Sequence, residues 1–329
     1  MDVPLLSDIY SARPHVYAAL RPTPLLRHPL LCDALGTDVF VKHENHQPTG
    51  AFKVRGGLNL VARLSAAERA RGVITATTGN HGQSIAFACR GAGVPCTVVV
   101  PLGNNPEKNA AMRAWGATLV EHGRDFDEAR EEVERLSAEG GLRYVHSANE
   151  PWLIAGVGTY ALEIFDELPD PDVVFVPIGG GSGACGLVTV RNGLESRARI
   201  VGVQAAGADA FARSWRTGQR VTGARADTFA EGLATRVTFD LPWSILAPAD
   251  PVARGLDEVV TVSDEELERA LVLALETTHN LAEGAGVAAM AAAVRQRGAL
   301  AGLKVVCVMS GGNLATATLR RVLGLLGSG

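Results

Sequence analysis

Short apolar runs alternate with segments of helical periodicity along almost the whole chain. Runs rich in valine and isoleucine, bounded by glycine, proline or charged residues, are typical of buried strands. They are VFVKHE (39–44), GVITATT (72–78), CTVVVP (96–101), ATLVEH (117–122), DVVFVPI (172–178), RIVGVQA (199–205) and KVVCVMS (304–310). Helical spacing is predicted for 52–64, 80–90, 106–115, 125–138, 158–168 and 264–279. Ser263 and Glu266 form the sequence pattern of a capping box at the start of the last helix.

Strands that alternate with helices predict an α/β fold with mostly parallel sheets. The chain shows no internal repeat and no linker-like segment, so two domains would be interleaved along it. In open α/β sheets, ligands bind beyond the carboxyl ends of the strands. We therefore expect the functional residues in the loops that follow the strands.

Composition narrows the class of protein. The 329 residues are 47% hydrophobic and 20% charged, as in soluble globular proteins. A net charge of −4 offers no basic surface and argues against nucleic acid as a partner. No apolar stretch reaches the ~18 residues of a membrane span. MDVPLLSDIY lacks a basic region followed by an apolar run, so no signal peptide is expected there. The five cysteines form no CxxC pair and predict free thiols in the cytoplasm.

The stretch TGAFKVRGG (49–57) places Lys53 directly after Phe52 at the start of a predicted helix. A lysine amine reacts with an aldehyde only when it is neutral, which requires burial or a neighbouring positive charge. Phe52 offers an apolar wall and Arg55 a positive charge. By itself, the stretch favours the alternative, a solvated helix lysine.

The loop TTGNHGQ (77–83) follows a strand and begins a helix. Unpaired N–H groups at a helix N-terminus suit a carboxylate. Thr77, Thr78, Asn80 and the backbone of His81 are the candidates for binding one. An ordinary turn with Thr78 as helix cap is the alternative.

The loop PIGGGSGACG (177–186) allows backbone N–H groups to surround a phosphate, because glycine permits a close approach. It lacks the GxxxxGK[ST] pattern of nucleotide triphosphate sites and the acidic residue of a dinucleotide site. It therefore predicts a smaller phosphate ligand, with a structural glycine turn as the alternative. Its candidate residues are Gly179, Gly180, Gly181, Ser182 and Gly183. After the last strand, Ser310 in MSGGN is placed to make one hydrogen bond to a ligand.

An amine, a phosphate cradle and a carboxylate cradle fit an aldehyde cofactor with a phosphate that acts on an amino acid, namely pyridoxal 5'-phosphate. The sequence resembles the fold-type II pyridoxal-phosphate enzymes, in the threonine/serine dehydratase and serine racemase group. The resemblance covers nearly the whole chain and rests on RPTPLL (21–26), KHENHQPTGAFKVRGG (42–57), TTGNHGQ (77–83), AGVGTYALEI (155–164), PIGGGSGACG (177–186), FAEGLA (229–234) and MSGGN (309–313).

The resemblance implies a tryptophan synthase β-like fold with two interleaved domains. It also implies a homodimeric assembly, with a tetramer as the alternative. A large cofactor-binding domain would comprise 1–71 and 149–329. A small inserted domain, 72–148, would close over the substrate. Because only one helix follows MSGGN, we expect no regulatory domain.

The resemblance also implies a role for each site residue. Lys53 would form the Schiff base and act as general base, with Phe52 near the cofactor ring and Asn80 on its phenolic oxygen. Gly179 to Gly183 would bind the phosphate, and Ser310 would face the pyridine nitrogen. The other implied positions are Glu283 near the cofactor, and Thr77, Thr78, Asn80, His81 and Arg130 toward the substrate.

A hydroxyl at position 310 does not keep the ring nitrogen protonated, which suits β-elimination. The implied reaction is the dehydration and deamination of L-threonine, L-serine or another small β-hydroxy-amino acid to a 2-oxo acid and ammonia, with the cofactor phosphate assisting the leaving hydroxyl. Thr78 stands where racemases of the group have serine, so racemisation is not favoured. Gln204 and Ala210 stand at the acidic positions of the racemase metal site, so no metal is expected there.

Other functions remain open at this point. An amino-acid racemase or a β-replacement synthase would use the same lysine and glycine loop. A non-catalytic amino-acid-binding protein would not require Lys53, the loop and Ser310 together. A nicotinamide oxidoreductase is disfavoured by the missing dinucleotide pattern.

Overall fold

The computed structural model describes residues 2–247 and 254–325. All seven predicted strands are present there, each within two residues of its predicted ends. The additional strands β1, β6 and β9 were not predicted. The strands are β1 Leu25–Arg27, β2 Asp38–His43, β3 Val73–Ala76, β4 Cys96–Val100, β5 Thr118–Glu121, β6 Arg143–Tyr144, β7 Val173–Pro177, β8 Arg199–Ala205, β9 Glu258–Val262 and β10 Lys304–Met309.

The six predicted helices are likewise present to within two residues. Ser263 caps its helix as predicted, because its Oγ accepts from the N–H of Glu266 at 3.1 Å and Glu266 accepts from the N–H of Ser263 at 2.7 Å. The helices are α1 Leu6–Tyr17, α2 Pro29–Leu35, α3 Lys53–Ala62, α4 Ala66–Arg71, α5 Asn80–Ala92, α6 Pro106–Ala114, α7 Phe126–Gly140, α8 Pro151–Val157, α9 Thr159–Glu167, α10 Ser182–Gly193, α11 Ala210–Thr217, α12 Asp240–Leu246, α13 Asp264–Thr278, α14 Ala288–Gln296 and α15 Thr316–Leu325.

The strands form two sheets. The larger has the order β1-β2-β10-β7-β8-β9 and is parallel except for the pair β1 and β2. The smaller has the order β5-β4-β3-β6 and is parallel throughout. The mostly parallel α/β fold is therefore confirmed. All strands of the smaller sheet lie within 72–148, the segment predicted to form the small domain, and the domain division itself stays a prediction.

The central strands are buried on both faces, as helices on both sides of a parallel sheet require. In β7, Val174 and Val176 face one apolar cluster, whereas Val173 and Phe175 face another. This alternation follows from the two-residue period of a strand. The first cluster also contains Val98 of the smaller sheet, so one core extends from the larger sheet to the smaller.

The loops at the carboxyl ends of β3, β7 and β10 lead to the predicted site residues. The segment before α3 joins them because Ala51 pairs with Gly311 in an isolated antiparallel bridge. The N–H of Phe52 then donates to the carbonyl oxygen of Ser310 at 3.1 Å. Within the described part of the chain, no helix has both the length and the apolar character needed to cross a membrane.

Candidate active site

A cavity of about 200 Å³ is lined by residues that follow strands of both sheets. It brings together every predicted site residue except Arg130. These are Phe52, Lys53, Thr77, Thr78, Asn80, His81, Gly179, Gly180, Gly181, Ser182, Gly183, Glu283 and Ser310. The structure therefore assembles the four separate loops around one space, and the role of each residue stays a prediction.

Lys53 is the first residue of α3, and its amine lies against the glycine loop. The Nζ donates to the Oγ of Ser182 at 2.8 Å and to the carbonyl oxygen of Ser147 at 3.1 Å. It also lies 5.4 Å from the centre of the Phe52 ring. Burial lowers the pKa of Lys53 to about 8. The amine is thus much easier to deprotonate than that of a solvated lysine.

The expectation that Arg55 acts on Lys53 was wrong. Arg55 is fully buried and pairs with Glu44 at 2.7 Å and Glu163 at 2.6 Å. Successive helix residues are rotated by about 100°, so residues two apart point to opposite sides. Lys42 also pairs with Glu163, at 2.7 Å, which makes a buried network of two cations and two anions beneath α3. Burial, and not this network, lowers the pKa of Lys53.

The glycine loop is shaped by close packing. A Cβ at residue 179 would lie 2.0 Å from the carbonyl oxygen of Gly232. Gly181 has φ of +97°, which disfavours any other residue. It is also the N-cap of α10 and supplies no side-chain acceptor, so the first N–H groups of the helix retain their capacity to bind an anion.

The loop between β3 and α5 has a similar form. Its N-cap is Gly79 and not Thr78, so the alternative in which Thr78 caps the helix was wrong. The Oγ of Thr77 accepts from the N–H of Gly79 at 2.9 Å, which stabilises the turn. His81 is buried, and burial with the charge of Lys53 lowers its pKa to about 3. Its imidazole is therefore neutral, which leaves its backbone N–H as the group suited to a carboxylate.

Asn80 and Ser310 are both held by neighbouring groups. The Asn80 amide donates to Glu283 at 2.5 Å and accepts from Asn313 at 2.8 Å. The Oγ of Ser310 donates to the carbonyl oxygen of Ala285 at 3.3 Å. These bonds fix the position of each side chain at the cavity wall.

Arg130 lies apart from the other predicted residues. It is on α7, forms an ion pair with Glu134 and lines a neighbouring cavity together with His146. Phe239 lines both cavities. Contact between Arg130 and a substrate stays a prediction.

Four polar residues at or beside the cavity escaped the sequence analysis. Ser147 accepts the bond from Lys53, and the Nδ1 of His146 accepts from the N–H groups of the two residues after Ser147, which fixes that turn. Lys108 and Glu231 form an ion pair at 2.6 Å. One feature of the sequence could have drawn attention to Lys108. It is in the first turn of α6, where the helix dipole disfavours a cation.

At the position where the racemases of the group have an acidic metal ligand, the Gln204 side chain is hydrogen-bonded within the protein. Gln204 is buried, accepts from the N–H of Ala212 at 2.8 Å and donates to the carbonyl oxygen of Ile178 at 3.4 Å. Among the residues that the structure describes, no three His, Cys, Asp or Glu side chains are grouped to hold a metal ion.

The residues present fit pyridoxal phosphate. The glycine loop and the uncapped start of α10 suit its phosphate, and the amine of Lys53 that contacts this loop suits its aldehyde. Fold and cavity thus define an enzyme that uses this cofactor. The model of the family described as "Pyridoxal-phosphate dependent enzyme" matches residues 16–311. The chain belongs to this family, and its cofactor is pyridoxal phosphate.

Relatives and solved structures extend the comparison over nearly the whole chain. An L-threonine ammonia-lyase of Thermotoga maritima is 36% identical over 98% of this chain and 80% of its own. An L-threo-3-hydroxyaspartate ammonia-lyase of Saccharomyces cerevisiae is 33% identical over 95% and 94%. The processed threonine deaminase isoform 2 of Solanum lycopersicum superposes with a TM-score of 0.90 at 31% identity, over 98% and 92%. Maize serine racemase has the same TM-score at 26% identity, over 99% and 98%.

Proposed function

We propose that this protein is a pyridoxal-phosphate-dependent ammonia-lyase that converts a small β-hydroxy-amino acid, L-threonine or L-serine, to a 2-oxo acid and ammonia. The observation that carries the proposal is the contact between the buried amine of Lys53 and Ser182 of the glycine loop. The names of the relatives from Thermotoga maritima and Solanum lycopersicum support the same reaction and, between the two substrates, favour L-threonine.

Bound pyridoxal phosphate supplies an electron sink that makes the α-hydrogen of an amino acid acidic. Lys53 then takes up that proton as general base. A base is most effective when its pKa lies near the working pH, and burial brings the pKa of Lys53 to about 8. Ser182 and the carbonyl oxygen of Ser147 hold the amine in place by accepting its hydrogen bonds.

The substrate carboxylate is assigned to the start of α5. Gly79 supplies no side-chain cap, so the first N–H groups of this helix are open to an anion. Thr77, Thr78, Asn80 and His81 line the cavity at this point. A neutral His81 adds no charge, so binding there depends on the backbone N–H groups, the helix dipole and the hydroxyl of Thr78.

The overall reaction is balanced without an oxidant. The α-proton and the β-hydroxyl leave together as water, which gives a 2-amino-2-alkenoic acid. This product tautomerises to an imine, and the addition of water then releases ammonia and the 2-oxo acid. Threonine would give 2-oxobutanoate, and serine would give pyruvate.

We propose that residues 72–148 close over the substrate as a separate small domain. Support comes from the four-stranded sheet, whose strands all lie in this segment. Phe126 and Lys108 reach the cavity from the same segment. A homodimer in the cytoplasm is proposed as well. The five cysteines are free and buried, which agrees with a reducing compartment, and light scattering during size-exclusion chromatography would test the dimer.

The test compares the wild type with Lys53→Ala and with Lys304→Ala, an exposed lysine at the start of β10. Visible spectra are recorded with pyridoxal phosphate, and 2-oxo acid and ammonia are assayed with L-threonine and L-serine. The proposal expects a yellow wild type and control that release both products in equal amounts, whereas Lys53→Ala loses the visible band and the activity. A wild type that binds the cofactor but releases neither product would overturn the ammonia-lyase assignment.

Racemisation is the second candidate because of the likeness to maize serine racemase. Chiral chromatography of the remaining amino acid separates the two functions. Accumulation of D-serine from L-serine, faster than release of pyruvate, would favour the racemase. Thr78→Ser introduces the serine that the racemases have at this position and removes only the methyl group. It is therefore the variant in which racemase activity should be sought.

A further inference from the structure

Lys108 occupies an unusual position for a lysine. It is only 8% exposed and lines the same cavity as Lys53. Its aliphatic stem lies on the backbone of Gly79, because a Cβ added there would be 2.6 Å from the Cδ of Lys108. In the first turn of α6 its charge opposes the helix dipole, so helix formation does not favour it there. A specific electrostatic partner has to compensate for this placement.

The partners come from the other side of the cavity. The Nζ of Lys108 lies 2.6 Å from Oε2 of Glu231 and 3.7 Å from Oε2 of Glu283. Glu231 is accessible to water at its side chain, whereas Glu283 is only 5% exposed. Since a buried carboxylate without a counter-charge is costly, Lys108 matters far more to Glu283 than to Glu231.

Glu283 in turn fixes Asn80. Its Oε1 accepts from the Asn80 amide at 2.5 Å, and Asn313 donates to the amide oxygen of Asn80 at 2.8 Å. The orientation of the Asn80 amide is therefore set by one acceptor and one donor. A protonated Glu283 would be a weaker acceptor. The Asn80 amide would then be oriented mainly by the one bond from Asn313.

We propose that Lys108 is a positioning residue of the active site: its ammonium keeps Glu283 ionised, and the ionised Glu283 holds the Asn80 amide in the orientation that the cavity requires. The inference deepens the proposed function and rests on it for the role of Asn80. It links α6, on the side of the smaller sheet, to the loop before α14. No substrate is needed for this link to exist.

The charges around Glu283 act in opposite directions. The pKa of Glu283 is raised overall, because burial and the second carboxylate, Glu231, outweigh Lys108 and the Asn80 amide, which lower it. Removal of the ammonium in Lys108→Met should therefore raise the pKa of Glu283 further. Removal of the neighbouring negative charge in Glu231→Gln should lower it. If Lys108 and Glu231 only held the two sheets together, both substitutions would shift the pKa of Glu283 in the same direction.

The experiment follows the side-chain carboxyl of Glu283 by 13C NMR during a pH titration of the cofactor-loaded protein without substrate. Glu283→Gln assigns the signal by its loss. We expect Lys108→Met to move the titration midpoint to higher pH by about one pH unit or more. Glu231→Gln should move it to lower pH, and Lys108→Arg, which retains the charge, should leave it near the wild-type value.

Glu107→Gln is the matched control. Glu107 lies next to Lys108 and accepts from the N–H of Thr316 at 3.2 Å, so it also joins α6 to a distant segment, but it does not line the cavity. This variant should leave the midpoint unchanged. A midpoint that Lys108→Met does not move, or that Glu107→Gln moves equally, would overturn the inference. If Lys108→Met does not fold, Lys108→Gln, which also removes the charge, takes its place in the comparison with Glu231→Gln.

Turnover gives a second, separable readout. The acid limb of the pH profile of kcat/KM should shift with the Glu283 titration, upward in Lys108→Met and downward in Glu231→Gln. We expect Lys108→Met to lower kcat/KM by about tenfold near neutral pH. If the wild type has no activity on threonine or serine, the proposed function fails, while the NMR titration still decides the role of Lys108.

Discussion

The Nζ of Lys53 and the Oγ of Ser182 are 2.8 Å apart, although 129 positions separate them in the chain. The reactive amine therefore contacts the first residue of the helix that begins after the glycine loop. A ligand whose phosphate lies on this loop has its remaining atoms within reach of the amine. The contact thus joins the reactive lysine and the glycine loop, which the sequence predicted only as separate features.

The burial of Lys53 has a measurable effect on stability. Because its pKa falls from 10.5 to about 8 on folding, the unfolded chain binds more protons than the folded protein between these values, and stability rises with pH across the interval. The full shift corresponds to about 3 kcal/mol, which we reduce to about 2 kcal/mol because the side chain borders the cavity.

Lys53→Met should therefore stabilise the cofactor-free protein near pH 7, and this advantage should shrink by about 2 kcal/mol as the pH rises to about 11. Urea unfolding at both pH values measures the difference. An advantage that does not change with pH would show that the amine keeps an ordinary pKa in the folded protein.

Gly179→Ala should weaken binding of pyridoxal phosphate. The added methyl group would lie 2.0 Å from the carbonyl oxygen of Gly232, so the loop has to shift. Overpacking of this kind costs about 1–3 kcal/mol, so we expect the cofactor dissociation constant to rise by about 5-fold to 150-fold. A titration followed by the visible spectrum measures it. Gly298→Ala, where no atom lies within 4 Å of the added Cβ, should bind normally.

Arg55→Met should destabilise the protein strongly without involving the cofactor. It leaves Glu44 and Glu163 without their shared cation in the interior. Breaking a buried pair in this way costs about 3–5 kcal/mol. Urea unfolding of the cofactor-free protein gives the value. Arg27→Met, which breaks an exposed pair with Asp38, should cost less than about 1 kcal/mol, and equal losses in both variants would contradict the prediction.

Ser263→Ala removes the cap of α13 and should lower the free energy of unfolding by about 1 kcal/mol. The variant loses the acceptor for the N–H of Glu266, while Ser263→Asp retains one. Thermal unfolding of the two variants should therefore differ in Tm. Cofactor affinity should be the same in both variants, because Ser263 does not line the cavity.

The sequence predicted the central strands well because they are long, β-branched and buried on both faces. It missed β1 and β6, since two or three residues carry no recognisable period. β9, with EVVTV, has the length and the β-branched residues of a strand and was overlooked. The site loops were found because each one combines a strand end with glycines or hydroxyl residues, and strand ends converge in this type of fold.

The error at Arg55 and the omission of Lys108 and Glu231 have different causes. Arg55 is close to Lys53 in sequence, but the helix turns it into the core. Lys108 and Glu231 are far apart in sequence, by 123 positions, yet they form an ion pair. The helix period alone places Arg55 opposite Lys53, whereas the pair of Lys108 and Glu231 depends on how α6 packs in three dimensions. His146 was missed for the same reason.

The position of β10 has a consequence for biosynthesis. This strand is the last in the described chain order, yet it lies between β2 and β7 in the middle of the larger sheet. A nascent chain that has not yet emerged beyond residue 303 holds the two halves of that sheet without the strand that joins them. Ser310, at the end of β10, is likewise absent from the cavity until then. We therefore expect the cofactor to bind only after β10 has joined the sheet, so that the visible colour of the protein reports that this last strand is in place.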